Sequence, residues 1–101
     1  MIKLPKEYSE ALEKIIEWHL KTYVHSYDGV YLKRIQENFF KKNLVDESVV
    51  FEDKDMFYIF SCMQDAVNYP NECGYSFDYL WDIYAWVNSE YKKVKNQYEK
   101  K

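Results

Sequence analysis

The chain has 101 residues and a mass of 12.4 kDa; 48% of its residues are hydrophobic and 20% aromatic, which suits a packed core and excludes intrinsic disorder. Two glycines and two prolines are too few for a loop-rich all-β fold, and two cysteines are too few for a disulfide framework. The net charge is −3, and no apolar run approaches the length of a membrane span or of a signal-peptide core. We therefore expect a cytoplasmic, all-α protein with a single helical domain over residues 1–101.

The first predicted helix begins at Pro5, because the missing N–H of proline costs nothing in a first helical turn. An apolar face with helical spacing follows, formed by Tyr8, Leu12, Ile15, Ile16, His19, Tyr23 and Val24. We expect this helix to run to about Ser26. It should stop at Asp28 and Gly29, where glycine can supply the left-handed conformation of a helix C-terminus.

A second helix is predicted from about Val30 to Asn43, with Leu32, Ile35 and Phe39 facing inward. The same helix carries the best candidates for direct contact with nucleic acid, namely Lys33, Arg34, Lys41 and Lys42. These bases form a short stripe, and the acidic residues elsewhere in the chain would repel phosphate. We therefore expect no direct binding of nucleic acid, and a nucleic-acid-binding regulator is the weakest of three functional hypotheses.

The segment of residues 49–60 allows two interpretations. In the first, residues 49–51 are extended and Asp53 or Asp55 caps a third helix, which Pro70 ends. In the second, residues 49–51 pair with residues 56–60 as a small hairpin around an acidic turn, which would make the fold α+β. Apolar residues continue at helical spacing beyond Phe60, and this continuation favours the helix.

The last predicted helix runs from Ser76 to Tyr98, and we expect it to be the spine of a four-helix, bundle-like domain. Its main apolar stripe consists of Phe77, Leu80, Tyr84, Val87, Tyr91, Val94 and Tyr98. A second row in the first half consists of Tyr79, Ile83 and Trp86, with Trp81 beside it. Because a helix that is apolar on most of its circumference must be wrapped by other elements, we expect the first half to be buried and the second half to lie along an edge.

The residues that usually carry out chemistry do not form a recognisable site in the sequence. His19 and His25 are six residues apart and so do not share a helical face, and His19 is interpreted as a hydrogen-bonded histidine of the core or its boundary. Cys62 and Cys73 lack the close cysteine partners of a zinc site, and neither has a histidine nearby in the sequence. We therefore expect no enzyme activity, no cofactor and no metal.

Acidic residues dominate the middle and late parts of the chain. Between Asp46 and Glu90 there are ten acidic residues and one base, Lys54, a net charge of −9. The helix dipole accounts for Asp78 and Asp82, but it does not explain why bases are missing from nearly half of the chain. Because unpaired carboxylates repel one another, we interpret this region as a surface that docks on a basic partner. The predicted partner-binding residues are Asp46, Glu47, Glu52, Asp53, Asp55, Tyr58, Asp65, Tyr69, Glu72, Tyr75, Asp78 and Asp82.

Tyrosines interspersed with acids suggest what such a surface does. Tyrosine combines a large apolar ring with a hydroxyl and is favoured at protein interfaces. The leading hypothesis is a small, non-enzymatic inhibitor that mimics nucleic acid and docks on a basic, nucleic-acid-handling protein, such as a host nuclease blocked by a phage or mobile element, or a nuclease toxin neutralised by its immunity protein. The alternative is a helical oligomerisation or regulatory module, with a possible homodimer through Tyr84, Val87, Tyr91, Val94 and Tyr98.

Overall fold

The computed structural model describes residues 2–24, 28–39 and 48–99 of the chain. Its helices are α1 (Lys6–Thr22), α2 (Asp28–Glu37), α3 (Asp55–Asn68), the single turn α4 (Pro70–Cys73) and α5 (Phe77–Glu99). Two short strands, β1 (Ile2–Lys3) and β2 (Val50–Phe51), accompany them. The predicted all-α class and the four main helices are confirmed, and the small strand pair is an addition to them.

The strand pair fixes the N-terminus against the segment that leads into α3. Strands β1 and β2 are antiparallel, with Ile2 opposite Phe51 and Lys3 opposite Val50. The backbone N–H of Leu4 extends the pairing by donating to the carbonyl of Val49 at 2.9 Å. Residues 49–51 are therefore extended and are followed by a helix, as the first of the two interpretations predicted.

The end of α1 differs from the prediction. The helix ends at Thr22, where the backbone N–H of Tyr23 donates to the carbonyl of His19 at 2.9 Å. Gly29 lies in the first turn of α2 and does not cap α1, so the predicted role of Gly29 is wrong. The glycine with a left-handed backbone is Gly74, whose φ of 81° ends α4. The second helix was predicted to run to about Asn43, but α2 ends at Glu37 and is followed by a turn at Asn38 and Phe39; Asn43 itself lies outside the described residues.

Helix α3 contacts α1, α2, α4 and α5, and so it occupies the middle of the fold. Its buried apolar side chains are Met56, Ile59, Cys62, Met63 and Ala66. Helix α5 packs along α3 and buries Leu80, Ile83, Val87 and Val94. Three of these four residues lie in the first half of α5. The second half therefore lies along an edge, as its single apolar stripe predicted.

Candidate protein-binding surface

The structure separates the predicted partner-binding residues into two groups. Asp46 and Glu47 lie outside the described residues. Glu52, Asp53, Asp55 and Tyr58 lie at the start of α3, whereas Tyr69, Glu72, Tyr75, Asp78 and Asp82 lie beyond its end, in α4 and the start of α5. Asp65 lies near the end of α3. Because α3 has 14 residues, the two groups are about 20 Å apart and do not form one continuous patch.

Asp55, in the first of these groups, stabilises the start of α3. Its side chain is only 6% exposed, and its two carboxylate oxygens accept hydrogen bonds from the Tyr31 hydroxyl at 2.9 Å and from the Glu52 backbone N–H at 2.8 Å. The second bond closes the turn that leads into the helix, because Asp55 is the first residue of α3 and Glu52 lies three residues before it. Tyr58 stacks on the Tyr31 ring with centroids 3.9 Å apart. The predicted capping of α3 by Asp53 or Asp55 is wrong, because Lys54 occupies the N-cap position without a side-chain cap bond, and the Asp55 carboxylate instead joins this turn to Tyr31 of α2.

The contact with Asp55 also affects the pKa of Tyr31. Burial, followed by the hydrogen bond to Asp55, raises the pKa of the Tyr31 phenol far above its ordinary value of 10.0. Arg34 of the same helix lines a cleft of about 310 Å³ together with Glu52 and Asp55. Four basic residues were candidates for direct contact with nucleic acid. Lys33 and Arg34 are exposed on α2, and Lys41 and Lys42 lie outside the described residues.

Asp65 connects α3 to α1 through a buried histidine. His19 is 3% exposed, and its Nε2 lies 3.0 Å from a carboxylate oxygen of Asp65. The His19 ring also packs on Tyr23 with centroids 4.6 Å apart. The interpretation of His19 as a hydrogen-bonded core histidine is confirmed, and one carboxylate oxygen of Asp65 forms a contact within the fold.

The two cysteines are poor nucleophiles in this structure. Cys62 is fully buried, and burial, followed by the charge of Glu72, raises the pKa of the Cys73 thiol to about 11. At neutral pH Cys73 is therefore protonated, whereas nucleophilic catalysis needs the thiolate. Within residues 2–24, 28–39 and 48–99, no three histidine, cysteine, aspartate or glutamate side chains are grouped as a metal site requires.

Three tyrosine rings join α1 to α5 on one side of the molecule. Tyr79 packs edge-on against Tyr8 with centroids 6.3 Å apart and stacks on Tyr75 at 5.7 Å. The Tyr79 hydroxyl also donates to the backbone carbonyl of Glu7 at 2.8 Å. Ser76, the predicted N-cap of α5, accepts a hydrogen bond from the Tyr79 backbone N–H at 3.2 Å, which fixes the helix start beside the cluster. The rings are therefore held in place before any partner binds.

Exposed carboxylates lie beside these rings. Glu7 directly precedes Tyr8 in α1, and Asp82 follows Tyr79 by about one turn of α5. The charges of Glu7 and Asp82 add to burial, the larger cause, in raising the pKa of the Tyr8 phenol. Asp78 precedes Asp82 by one helical turn, which places the two side chains about 6 Å apart on the outer side of α5. We call the group of Glu7, Tyr8, Tyr75, Asp78, Tyr79 and Asp82 the tyrosine–carboxylate face.

The three carboxylates of this face lack cationic partners. In the part of the chain that the structure describes, Glu7, Asp78 and Asp82 have no lysine or arginine nitrogen within 4.0 Å. The nearby Glu10 does have one, Lys14, at 3.1 Å. Sequence analysis predicted Asp78, Asp82 and Tyr75 but missed Glu7, Tyr8 and Tyr79, because Glu7 belongs to the N-terminal part of the chain, where bases outnumber acids.

The first half of α5 is not wrapped on all sides, which corrects the expectation of a buried spine there. Phe77 and Trp81 are 51% and 50% exposed, and their rings stack with centroids 5.7 Å apart. The buried contacts of α5 are concentrated on the side that carries Leu80, Ile83 and Val87. The neighbouring side with Phe77 and Trp81 therefore remains open to solvent.

The predicted homodimer stripe contains both buried and accessible residues. Val87 and Val94 are 0% and 2% exposed and lie in the core, so a second copy cannot contact them. Tyr84 and Tyr91 pack against Phe60 of α3 and are partly exposed, and half of the Tyr98 surface is exposed. A dimer would have to use a stripe displaced from the predicted one.

No helix among the described residues is both long enough and apolar enough to cross a membrane. Comparison with protein-family models, with curated proteins and with solved structures gives no match to this chain. Its function therefore has to be inferred from the chemistry of its surface.

Proposed function

We propose that this protein is a small, non-enzymatic inhibitor that docks its tyrosine–carboxylate face on a basic, nucleic-acid-handling protein. The observation that supports the proposal is the ring of exposed carboxylates without cationic partners around three ordered tyrosines. The helix dipole favours Glu7 and Asp78 in the first turns of α1 and α5. Like charges at this spacing still repel one another, and in the described part of the chain no lysine or arginine pairs with the three carboxylates. A cationic partner would remove that repulsion on binding.

The two residue types in this face have different tasks in docking. Glu7, Asp78 and Asp82 attract a basic surface over a distance and speed the encounter. Tyr8 and Tyr79 bury large rings and slow the release of the bound partner, because aromatic anchors carry much of the binding energy of an interface. The rings are already fixed by their mutual contacts and by the Tyr79 bond to Glu7, so binding loses little side-chain entropy.

The basic surfaces that best match such a face are those that bind the phosphates of nucleic acid. We propose that the face occupies such a groove and mimics nucleic acid in it. Host nucleases attacked by phages or mobile elements, and nuclease toxins held by immunity proteins, are the partner classes that follow from this chemistry, by analogy of role.

Quantitative affinity capture over a salt series tests the proposal. Tagged protein is incubated with host lysate at low and high ionic strength, and the captured proteins are identified by mass spectrometry. The test variant, Glu7→Lys combined with Asp82→Lys, reverses two carboxylates of the face. The control, Glu17→Lys combined with Glu99→Lys, changes the net charge equally at two exposed positions that are already paired with lysines.

The proposal predicts a basic, nucleic-acid-handling partner whose capture falls about tenfold or more at high salt and in the test variant, and is largely retained in the control. Capture of an acidic partner would contradict it. Capture that is insensitive to salt, or that is lost equally in both variants, would contradict it as well.

A further inference from the structure

A ladder of aromatic rings follows the groove between α3 and α5. Each ring contacts the next with centroids between 4.1 and 5.7 Å apart. In order, the aromatic ladder consists of Phe77, Trp81, Tyr84, Phe60, Tyr91, Phe57 and Tyr98. All of these rings are partly exposed, and Phe57, Phe77, Trp81 and Tyr98 are between 36% and 51% exposed. An exposed apolar strip of this length is characteristic of an interaction surface.

The α5 side of the aromatic ladder has the spacing of a coiled-coil seam. The seam positions are Phe77, Trp81, Tyr84, Asn88, Tyr91, Lys95 and Tyr98, separated alternately by four and three residues. This is the heptad spacing with which one helix packs along another. The adjacent seam of α5, with Leu80, Ile83, Val87 and Val94, is already buried in the core. Helix α5 therefore offers a second seam, and α3 covers only part of it.

The residues that flank this seam indicate which partner fits. Asp78, Ala85 and Lys92 each follow a seam position and occur at intervals of seven residues, so an acid, a small residue and a base line the same edge. Asp78 and Lys92 are about 21 Å apart along one helix and cannot reach each other within a molecule. In the described part of the chain, neither Asp78 nor Lys92 forms an ion pair.

We propose that the aromatic ladder is the interface of an antiparallel homodimer. A two-fold axis near Ala85 places Asp78 of one copy beside Lys92 of the other, and symmetry repeats the pair. The small side chain of Ala85 lets the two α5 helices approach each other closely at the axis. The same arrangement brings Lys95 towards the aromatic end of the other copy, where a cation over the Phe77 or Trp81 ring is attracted.

The size of the strip is adequate for a specific dimer. Helix α5 has 23 residues and is about 34 Å long, whereas α3 has 14 residues and is about 21 Å long. Strips about 10 Å wide along the two helices give about 550 Å² per copy and about 1,100 Å² in total, just above the ~1,000 Å² that a specific interface needs.

The dimer goes beyond the proposed inhibitor function and shares one residue with it, because Asp78 belongs to the tyrosine–carboxylate face and also pairs with Lys92 of the other copy. Tyr79 and Asp82 lie on the side of α5 away from Tyr84 and Tyr91, so most of the tyrosine–carboxylate face stays accessible in the dimer. The dimer then presents two copies of that face.

Sedimentation equilibrium of the full chain from about 1 to about 200 µM tests the proposal, which predicts a dimer of twice 12.4 kDa with a dissociation constant of about 10 µM. Trp81→Lys should weaken association about tenfold or more, because it places a charge on a half-exposed ring of the aromatic ladder. The matched control is Val30→Lys, an exposed apolar residue of α2 that lies outside the aromatic ladder and should leave association unchanged. Circular dichroism verifies that each variant is folded.

Exchanging the charges of Asp78 and Lys92 is a second test of the dimer. It does not depend on whether Trp81→Lys folds. Asp78→Lys alone should weaken the dimer about fivefold, because it faces Lys92 of the other copy. Adding Lys92→Asp to the same chain should restore the wild-type constant, because the pair is rebuilt across the axis. A monomer at about 200 µM, a dimer that folded Trp81→Lys leaves intact, or the absence of rescue in the double variant would overturn the proposal.

Discussion

Replacing Asp55 by alanine tests whether this residue stabilises the fold or belongs to a docking surface. The carboxylate is 6% exposed and accepts two hydrogen bonds, from Tyr31 and from the Glu52 backbone. Alanine removes both acceptors at once. The Glu52 N–H and the half-buried Tyr31 hydroxyl then each lose a hydrogen-bond acceptor.

The expected loss follows from these two bonds. Each of the two hydrogen bonds to this charged acceptor contributes about 1.5 kcal/mol. We therefore expect Asp55→Ala to reduce the free energy of unfolding by about 3 kcal/mol, or to lower the melting temperature by roughly 15 °C in a chain of this size. Tyr31→Phe keeps the stack on Tyr58 and should cost about 1 kcal/mol.

Urea unfolding followed by circular dichroism measures these changes, and Asp53→Ala is the matched control. Asp53 is an exposed acid in the turn just before the same helix, so its replacement should cost no more than about 0.5 kcal/mol. If Asp55→Ala proves no more destabilising than Asp53→Ala, the assignment of Asp55 to the fold is refuted. The double variant of Tyr31 and Asp55 should lose less than the sum of the single changes, because the two side chains share one bond.

Three further predictions concern single groups. Cys73, with its thiol pKa raised to about 11, should react with a thiol reagent at pH 8 about 100-fold more slowly than a cysteine of pKa 9, and rapid labelling of the folded protein would contradict this. The folded protein holds the Tyr31 proton more tightly than the unfolded chain, so this phenol contributes stability that is fully present below pH 10.0 and is lost as the pH rises further. Tyr31→Phe should therefore flatten the fall of the melting temperature above pH 10.0. An unchanged slope would refute the assignment. Asp65→Ala should reduce the free energy of unfolding in urea by about 1 to 3 kcal/mol, because it leaves the buried His19 without its partner. The exposed control Glu72→Ala should leave this free energy nearly unchanged. Equal losses in the two variants would contradict the role of Asp65.

The helices could be predicted from the sequence because apolar residues recur at helical spacing along the side that each helix buries. Ile15 and Ile16 of α1 and Ile59 and Met63 of α3 occur where the period required them, and all four are buried. These features depend on residues within one or two turns of each other.

The surfaces could not be predicted in the same way, because they depend on which elements become neighbours. Glu7 and Tyr79 are 72 residues apart in the chain and meet through one hydrogen bond, and nothing local to either residue indicates the other. The apolar composition of α5 showed that it packs, but could not show that α3 would leave Phe77 and Trp81 half exposed. The glycine that ends a helix was also misplaced, since Gly29 and Gly74 both occur in plausible turn sequences.

Competition between this protein and nucleic acid for the captured partner tests the central claim most directly. The tyrosine–carboxylate face is proposed to occupy a phosphate-binding groove, so increasing amounts of duplex DNA or RNA should release the bound inhibitor at constant ionic strength. The variant with Glu7→Lys and Asp82→Lys should fail to displace nucleic acid from the same partner. A stable ternary complex, with inhibitor and nucleic acid bound together to one partner molecule, would contradict the account.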